Sequence, residues 1–107
     1  GLTLRIDYGQ TSVVVTGCIT SNGEKEIVSS GAAAACDALI VSRGGTEAAT
    51  CPEWVEAAKP KVALITGKNP ANSVRIRLQK YGVTVYAAKE NGVMTLFSDG
   101  QEITVEP

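Results

Sequence analysis

The sequence contains no histidine among its 107 residues, and this absence restricts its chemistry more than any other feature. It excludes a histidine-ligated metal and a histidine general base within this chain. Only three cysteines occur, at positions 18, 36 and 51, an odd number without Cys-x-x-Cys spacing. The sequence therefore indicates neither a disulfide framework nor a zinc knuckle.

Long apolar runs and aromatic residues are scarce as well. No stretch of about 18 apolar residues and no charged-then-apolar leader is present, so we expect neither a membrane span nor a signal peptide. Five aromatic residues leave valine, isoleucine, leucine and alanine to build the core. With 44% hydrophobic and 20% charged residues, the sequence is typical of one folded domain over residues 1–107.

Charge is unevenly distributed, although the net charge is only −1. Residues 43–89 carry eight Lys and Arg against three Glu, whereas residues 1–42 carry two cations against four acids. Residues 90–107 carry four acids and no cation. A basic central segment flanked by two acidic segments favours an anionic partner. The same pattern is typical of solvated helix faces.

Hydrophobic patterning predicts seven strands and three helices in the order β-β-α-β-α-β-α-β-β-β. Gly9-Gln10, Asn91-Gly92 and Asp99-Gly100 lie between apolar runs and predict hairpin turns. The predicted strands are 2–8, 12–16, 38–41, 61–66, 83–87, 93–98 and 103–106, and the predicted helices are 23–30, 52–58 and 71–81.

Cap residues define the ends of the predicted helices. Asn22 is the predicted N-cap of the first helix, with Glu24 and Glu26 near the positive end of the helix dipole. Pro52 suits the first position of the second helix, and Gly82 is the predicted C-cap of the third.

Three of the predicted strands are apolar without alternation, which is typical of strands buried on both faces: Val13–Val15, Leu39–Val41 and Val62–Ile65. Three short helices cover one face of the sheet. We expect the other face to be covered by a second copy of the chain or by a partner half that the chain lacks. The sequence begins directly in a strand, which favours a piece of a longer protein.

The strand at 38–41 ends in Ser42-Arg43-Gly44-Gly45, which places polar residues at the carboxyl edge of the sheet. At this edge Arg43 is a candidate to bind an anion such as phosphate. The alternative is an ion pair between Arg43 and a nearby carboxylate such as Glu47 or Glu53.

A second candidate basic surface comprises Lys68, which precedes the third helix, and Arg75, Arg77 and Lys80 within it. Contacts from these cations to phosphate groups would be salt-sensitive and independent of nucleotide sequence. The alternative is an ordinary solvated helix surface. No aromatic residue is interleaved with the cations, so stacking on single-stranded bases is not supported.

The cysteines are expected at two different edges of the sheet. Buried free thiols are the default expectation. The alternative is a disulfide between Cys18 and Cys51, which lie near the same rim and would be able to pair in an oxidising compartment. Cys36 precedes its strand at the opposite edge, too far for a bridge to either.

Five short blocks, taken in serial order, resemble a known family. They are LTLRIDYGQTSVVVTG, DALIVSRGG, CPEWV, KPKVALITGKN and RLQKYGVTVYAAKENGVMTLFSDG. The order resembles the C-terminal half of a metallo-β-lactamase-fold domain, most closely that of ComEC-type DNA-uptake competence proteins. The resemblance covers nearly the whole chain. It implies an α/β fold in which a mixed β-sheet with three helices forms one half of an αββα sandwich.

The chain departs from the metal-ligand positions that the resemblance implies. Thr16-Gly17-Cys18 replaces Thr-Gly-Asp, and Ser42-Arg43-Gly44-Gly45 replaces His-His-Gly-Ser. Lys68-Asn69-Pro70, in a shortened turn, corresponds to Gly-His-Pro, and the family's His-x-His-x-Asp-His motif belongs to an N-terminal half outside this chain. We therefore expect no bound zinc or manganese, the metals typical of the family. The degenerate metal-site positions are Cys18, Ser42, Arg43 and Asn69.

These departures predict a degenerate, non-catalytic domain with a structural or DNA-handling role in a ComEC-type parent, and DNA is the expected partner. One alternative is part of an active metal-dependent nuclease or phosphoesterase, completed by the missing N-terminal half. Another is a self-associating homodimeric domain. The resemblance implies a parent in the cytoplasmic membrane with this domain on the outer side, itself soluble and attached to the membrane only through the parent.

Overall fold

A computed structural model describes residues 3–32, 34–47 and 50–106 of the chain. It shows a five-stranded sheet and a separate two-stranded sheet. None of the described helices is long and apolar enough to cross a membrane. The strands are β1 (Thr3–Tyr8), β2 (Thr11–Thr16), β3 (Ala38–Ile40), β4 (Val62–Ile65), β5 (Thr84–Ala87), β6 (Thr95–Ser98) and β7 (Ile103–Glu106), and the helices are α1 (Ser21–Ser30), α2 (Pro52–Ala58), α3 (Asn72–Lys80) and α4 (Ala88–Asn91).

The strands of the large sheet lie in chain order, β1-β2-β3-β4-β5. β1 and β2 form the predicted antiparallel hairpin, whereas β2, β3, β4 and β5 are parallel. Parallel neighbours require crossover connections, which α1, α2 and α3 supply. Because such crossovers are right-handed and the strand order never reverses, the three helices lie on the same face. The predicted mixed α/β sheet is confirmed, and α4 is an additional short helix that the pattern did not predict.

The helix-bearing face of the sheet forms the core. In one cluster Trp54, only 1% exposed, packs with Val14 and Leu39 of the sheet. In the second cluster Ile65 of β4 packs with Val74 and Leu78, the inward residues of α3. Small and branched residues fill the rest of the core, as the scarcity of aromatic residues requires.

The opposite face carries an apolar row that crosses all five strands. The strand register aligns Leu4, Val15, Ile40, Leu64 and Tyr86 across the sheet. Leu4 is 49% exposed and three others in the row are partly exposed, because the crossover helices all lie on the far side. We call this the open face of the sheet.

The β6–β7 hairpin is joined to the sheet at its tip, where Asp99-Gly100 forms the predicted turn. The Gln10 N–H donates to the Gly100 carbonyl at 2.5 Å, and the hydroxyls of Thr11 and Ser98 are 2.6 Å apart. The tip therefore lies against the turn between β1 and β2.

The first helix begins earlier than predicted. It starts at Ser21 with Thr20 as its N-cap, rather than at Gly23 with Asn22 as the cap. The Glu24 N–H donates to the Thr20 carbonyl at 3.0 Å, which closes the first turn two residues upstream. Asn22 is an exposed residue inside that turn.

The predicted Asn91-Gly92 hairpin is wrong, because β5 and β6 belong to different sheets. The chain forms α4 directly after β5, and the Gly92 N–H donates to the Ala88 carbonyl at 2.8 Å. Gly92 has φ 68° and ψ −134°, whereas the second central residue of a type I′ turn needs ψ near 0°. A helical turn thus leads the chain out of the large sheet.

Other boundaries lie within one or two residues of those predicted. Pro52 is the first residue of α2, as predicted. The C-cap of α3 is Tyr81, one residue earlier than the predicted Gly82, which follows it with φ 80°. Residue 2, which the pattern places at the start of the first strand, lies outside the described residues.

Candidate functional site

The carboxyl ends of β2, β3 and β4 meet at one edge of the sheet, because these strands are parallel. Backbone hydrogen bonds join the turns that follow them. The Arg43 N–H donates to the Gly17 carbonyl at 2.8 Å, and the Ala71 N–H donates to the Gly45 carbonyl at 2.9 Å. We call these three joined turns the strand-end edge.

Two glycines allow the second and third turns to touch through their backbones. A Cβ on Gly44 would lie 2.8 Å from the Gly67 Cα, and a Cβ on Gly67 would overlap the Gly44 carbonyl. Gly44 also has φ 62°, a conformation that favours glycine. Arg43 and Lys68 are each one residue from this contact, so these two predicted anion-binding residues lie on adjacent turns.

Arg43 has a left-handed backbone conformation, with φ 51° and ψ 32°. For a non-glycine residue this conformation costs about 1–2 kcal/mol. Its side chain is exposed, and Nη1 donates to the Cys18 carbonyl at 3.4 Å. In the part of the chain that the structure describes, neither Glu47 nor Glu53 forms an ion pair with Arg43, so the alternative ion pair is not observed.

The cations of α3 lie on different sides of the helix. Arg75 donates to both carboxylate oxygens of Glu90, at 3.0 and 2.5 Å, which raises the arginine pKa and lowers the carboxyl pKa. Arg77, about 200° further around the helix, donates to the Thr50 carbonyl at 2.5 Å. Both guanidinium groups therefore have partners within the fold.

Lys80 lies in the last turn of α3, and Lys68 lies before its first turn. From Asn72 to Lys80 the helix rises by roughly 12 Å, and Lys68 lies beyond its N-terminal end. The structure therefore does not gather the predicted cations of α3 with Lys68 on one surface. The predicted cations on the strand-end edge are Arg43 and Lys68, on adjacent turns.

The predicted degenerate metal positions are divided between the surface and the interior. Cys18 and Asn69 are exposed, whereas Ser42 is only 1% exposed and its hydroxyl lies against a carboxylate. Across residues 3–32, 34–47 and 50–106, no group of three or more His, Cys, Asp or Glu is placed to hold a metal ion. The described part of the strand-end edge carries the cations Arg43 and Lys68 and the exposed thiol of Cys18.

Sequence reasoning missed the buried carboxylate beneath this edge, which belongs to Glu24 of α1 and is fully buried. Its Oε2 accepts from the Ser42 hydroxyl at 3.2 Å and from the Thr50 N–H at 2.7 Å. Its Oε1 accepts from the Cys51 N–H at 2.9 Å. A buried carboxylate needs such donors, and here they connect α1 to the turn after β3 and to the start of α2.

Nothing in the sequence separates Glu24 from the neighbouring exposed Glu26, because both are acids near a helix N-terminus. The apolar strands indicate only that a carboxylate on the inner face of α1 would be out of contact with solvent. They do not indicate which of the two acids lies on that face. Such a group must meet donors from other elements, and the sequence does not say which.

All three cysteines are free thiols. The alternative, a rim disulfide between Cys18 and Cys51, is not observed: Cys18 is exposed and Cys51 is buried. Burial raises the pKa of both Cys36 and Cys51 to about 11. The default expectation of buried free thiols is therefore confirmed for Cys36 and Cys51, whereas Cys18 is a free thiol that is exposed.

Comparison with protein-family models gives no match to the chain. The chain is similar to ComE operon protein 3 of Bacillus subtilis (strain 168), with 29% identity over 99 residues. The similarity is distant but extends over 87% of this chain. It covers only 13% of the Bacillus protein, so the chain spans about an eighth of that relative's length. These findings support a relationship to a ComE operon protein.

The Glu24 contacts predict a large stability difference between two conservative substitutions. Glu24→Gln places an amide NH₂ against one of two backbone N–H donors, so we expect a loss of about 2–3 kcal/mol in the free energy of unfolding. Urea denaturation followed by circular dichroism measures this loss. The matched control Glu26→Gln, on the exposed side of the same helix, is expected to change stability by less than about 0.5 kcal/mol. Equal losses in the two variants would contradict the assignment.

The thiols are expected to differ sharply in reactivity. At pH 8 a pKa of about 11 leaves roughly 0.1% of Cys36 and Cys51 as thiolate. A thiol-specific disulfide reagent should therefore label one thiol rapidly in the folded chain and all three in denaturant. Cys18→Ser is expected to remove the rapid phase, and a second rapid thiol in the folded chain would show that the buried cysteines are accessible.

Proposed function

We propose that this chain is a degenerate, non-catalytic metallo-β-lactamase-like domain of a ComEC-type competence protein, with a structural or DNA-handling role. Two observations support the proposal. The similarity to ComE operon protein 3 extends over most of the chain, and the mixed sheet with helices on one face suits one half of an αββα sandwich.

The observation that carries the non-catalytic assignment is the chemistry of the strand-end edge. Arg43 occupies a position that is a metal ligand in the family pattern, and its fixed positive charge repels a metal ion. Lys68 adds a second cation across the Gly44–Gly67 contact. Cations held this way suit the phosphate groups of DNA, which a guanidinium contacts through paired N–H donors.

The open face supports the second part of the proposal, that the domain is incomplete alone. Its apolar row, from Leu4 to Tyr86, spans the full width of the sheet. A second sheet packed face to face would remove these side chains from water. In this proposal the N-terminal half of the domain, within the parent protein, covers the open face. The parent resides in the cytoplasmic membrane and carries this domain on the outer side.

One alternative function is favoured by a specific observation. Cys18 is exposed at the strand-end edge, and a cysteine thiolate is a good zinc ligand. If the missing half supplied the remaining ligands, the parent would be an active metal-dependent nuclease or phosphoesterase. The two candidate functions differ in metal content and in hydrolysis, so one experiment separates them.

The non-catalytic assignment is tested by measuring metal content and nuclease activity, both for the chain and for its full-length parent. After incubation with zinc or manganese and removal of free metal, we expect substoichiometric metal by mass spectrometry and no cleavage of duplex DNA. Folding of the chain is verified by circular dichroism. Stoichiometric metal together with DNA cleavage by the parent would overturn the assignment in favour of the active enzyme.

DNA binding is expected to depend on the cation pair at the strand-end edge. Arg43→Ala should weaken binding of the chain to a labelled duplex about 3–10-fold at low salt and reduce the salt slope by about one. Fluorescence anisotropy across a salt series measures both quantities.

The matched control is Lys61→Ala, which removes one positive charge at the opposite end of β4. The Lys61 side chain is 83% exposed and lies 3.7 Å from the Asp37 carboxylate, so its loss changes stability little. Equal weakening in both variants would show that binding depends on net charge alone. Absence of salt-dependent binding in the unmodified chain would exclude a DNA-handling role for it.

A further inference from the structure

Arg43 is held in a backbone conformation that its residue type disfavours. Its φ of 51° and ψ of 32° lie in the left-handed region, which residues other than glycine rarely adopt. A strained residue of this kind persists only where the surrounding structure determines its conformation, and such residues cluster at ligand-binding sites. The contacts that hold Arg43 in place are therefore relevant to its function.

Backbone hydrogen bonds fix the turn that contains Arg43. The Arg43 N–H donates to the Gly17 carbonyl at 2.8 Å, and the Arg43 carbonyl accepts from the Thr46 N–H at 3.3 Å. The Gly45 carbonyl accepts from the Ala71 N–H at 2.9 Å. These bonds connect the turn after β3 to the turns that follow β2 and β4, and they close it on itself.

Ser42 anchors the same turn from the interior. Its side chain is buried, and the hydroxyl donates to Oε2 of Glu24 at 3.2 Å. The Glu24 carboxylate also accepts the N–H groups of Thr50 and Cys51, so it is a fixed acceptor for the hydroxyl. Because Ser42 directly precedes Arg43, this bond restrains the chain where it enters the left-handed residue.

The Arg43 guanidinium is held less firmly than the Arg43 backbone. Among the described contacts it makes one hydrogen bond, from Nη1 to the Cys18 carbonyl, and the distance of 3.4 Å is long for such a bond. A guanidinium carries five N–H donors, so most of them remain to contact a phosphate group. The backbone conformation of Arg43 therefore sets the position from which the side chain reaches an anion.

We propose that Ser42 is the positioning residue of the anion-binding arginine. Its hydroxyl, held by the Glu24 carboxylate, keeps Arg43 in the left-handed conformation from which the guanidinium contacts a phosphate group of DNA. This inference rests on the proposed function, because that function supplies the anion. A group that is restrained before binding loses less conformational freedom on binding, so Ser42 contributes to affinity without touching the ligand.

Hydrogen exchange measured by NMR in the absence of DNA tests the positioning directly. In Ser42→Ala, checked for folding by circular dichroism, the Arg43 amide should exchange about tenfold faster or more, because the turn opens more often. The Thr84 amide, which donates to the Lys61 carbonyl at the opposite edge of the sheet, should keep its rate. Unchanged exchange at Arg43, or equal acceleration at both amides, would overturn the proposal.

DNA binding provides the second readout. Ser42→Ala should weaken binding to the labelled duplex about 3–10-fold at low salt and reduce the salt slope by about one, because the Arg43 phosphate contact is lost. In the Arg43→Ala background, adding Ser42→Ala should have no further effect on affinity. Additive losses in the double variant would show that Ser42 acts independently of Arg43 and would overturn the proposal.

Two further variants separate positioning from stability. Val74→Ala truncates a residue of the α3 cluster that is fully buried, so it should lower stability and leave the salt slope unchanged. A reduced slope in the folded Val74→Ala chain would show that the slope follows stability, which would overturn the role of Ser42. Ser42→Cys nearly preserves the side-chain volume and keeps a weak S–H donor. It should change exchange and affinity in the same directions as Ser42→Ala, by smaller factors, and it replaces that variant if the latter does not fold.

Failure of the inference and failure of the proposed function give different results. Salt-dependent binding that neither Ser42 variant alters would leave the proposed function in place and overturn the inference. Absence of salt-dependent binding in the unmodified chain would exclude the DNA-handling role. Hydrogen exchange at Arg43 would in that case still decide whether Ser42 positions it.

Discussion

The buried carboxylate of Glu24 is the interaction on which the strand-end edge depends. Helix α1, the turn after β3 and the first residues of α2 converge on its two oxygens. A charged group in the interior is tolerated only when donors surround it, so each of these elements constrains the other two. Thr50, with φ 62°, is held between this carboxylate and the Arg77 guanidinium, which accounts for its unusual backbone conformation.

Backbone contact between Gly44 and Gly67 is the second constraint, and it holds the turns after β3 and β4 against each other. The turns after β3 and β4 approach more closely than side chains would permit. Their flanking residues, Arg43 and Lys68, therefore lie on adjacent turns, although 25 positions separate them in the sequence. Arg75 and Arg77 of α3 are directed elsewhere, because they donate to Glu90 and to the Thr50 carbonyl.

The order of elements along the chain, the first hairpin and the helices between the parallel strands could be predicted, because each depends on local periodicity and turn residues. The hairpin at Asn91-Gly92 was predicted from the same local signals and is wrong. A helical turn closed by the Ala88 carbonyl competes with a hairpin over the same residues. The start of α1 and the burial of Glu24 depend on contacts between elements distant in the sequence. At the site, the adjacency of strand ends was predictable from parallel order, whereas the partners of Arg75 and Arg77 required three-dimensional packing.

The chain-order arrangement of the large sheet has a consequence for biosynthesis. Each strand docks beside the strand made immediately before it, so no segment is inserted between two that are already paired. The hairpin of β1 and β2 has the shortest loop to close, and every later strand arrives with its own helix. The sheet is thus suited to growth from the N-terminal side as the chain leaves the ribosome, with a single advancing edge.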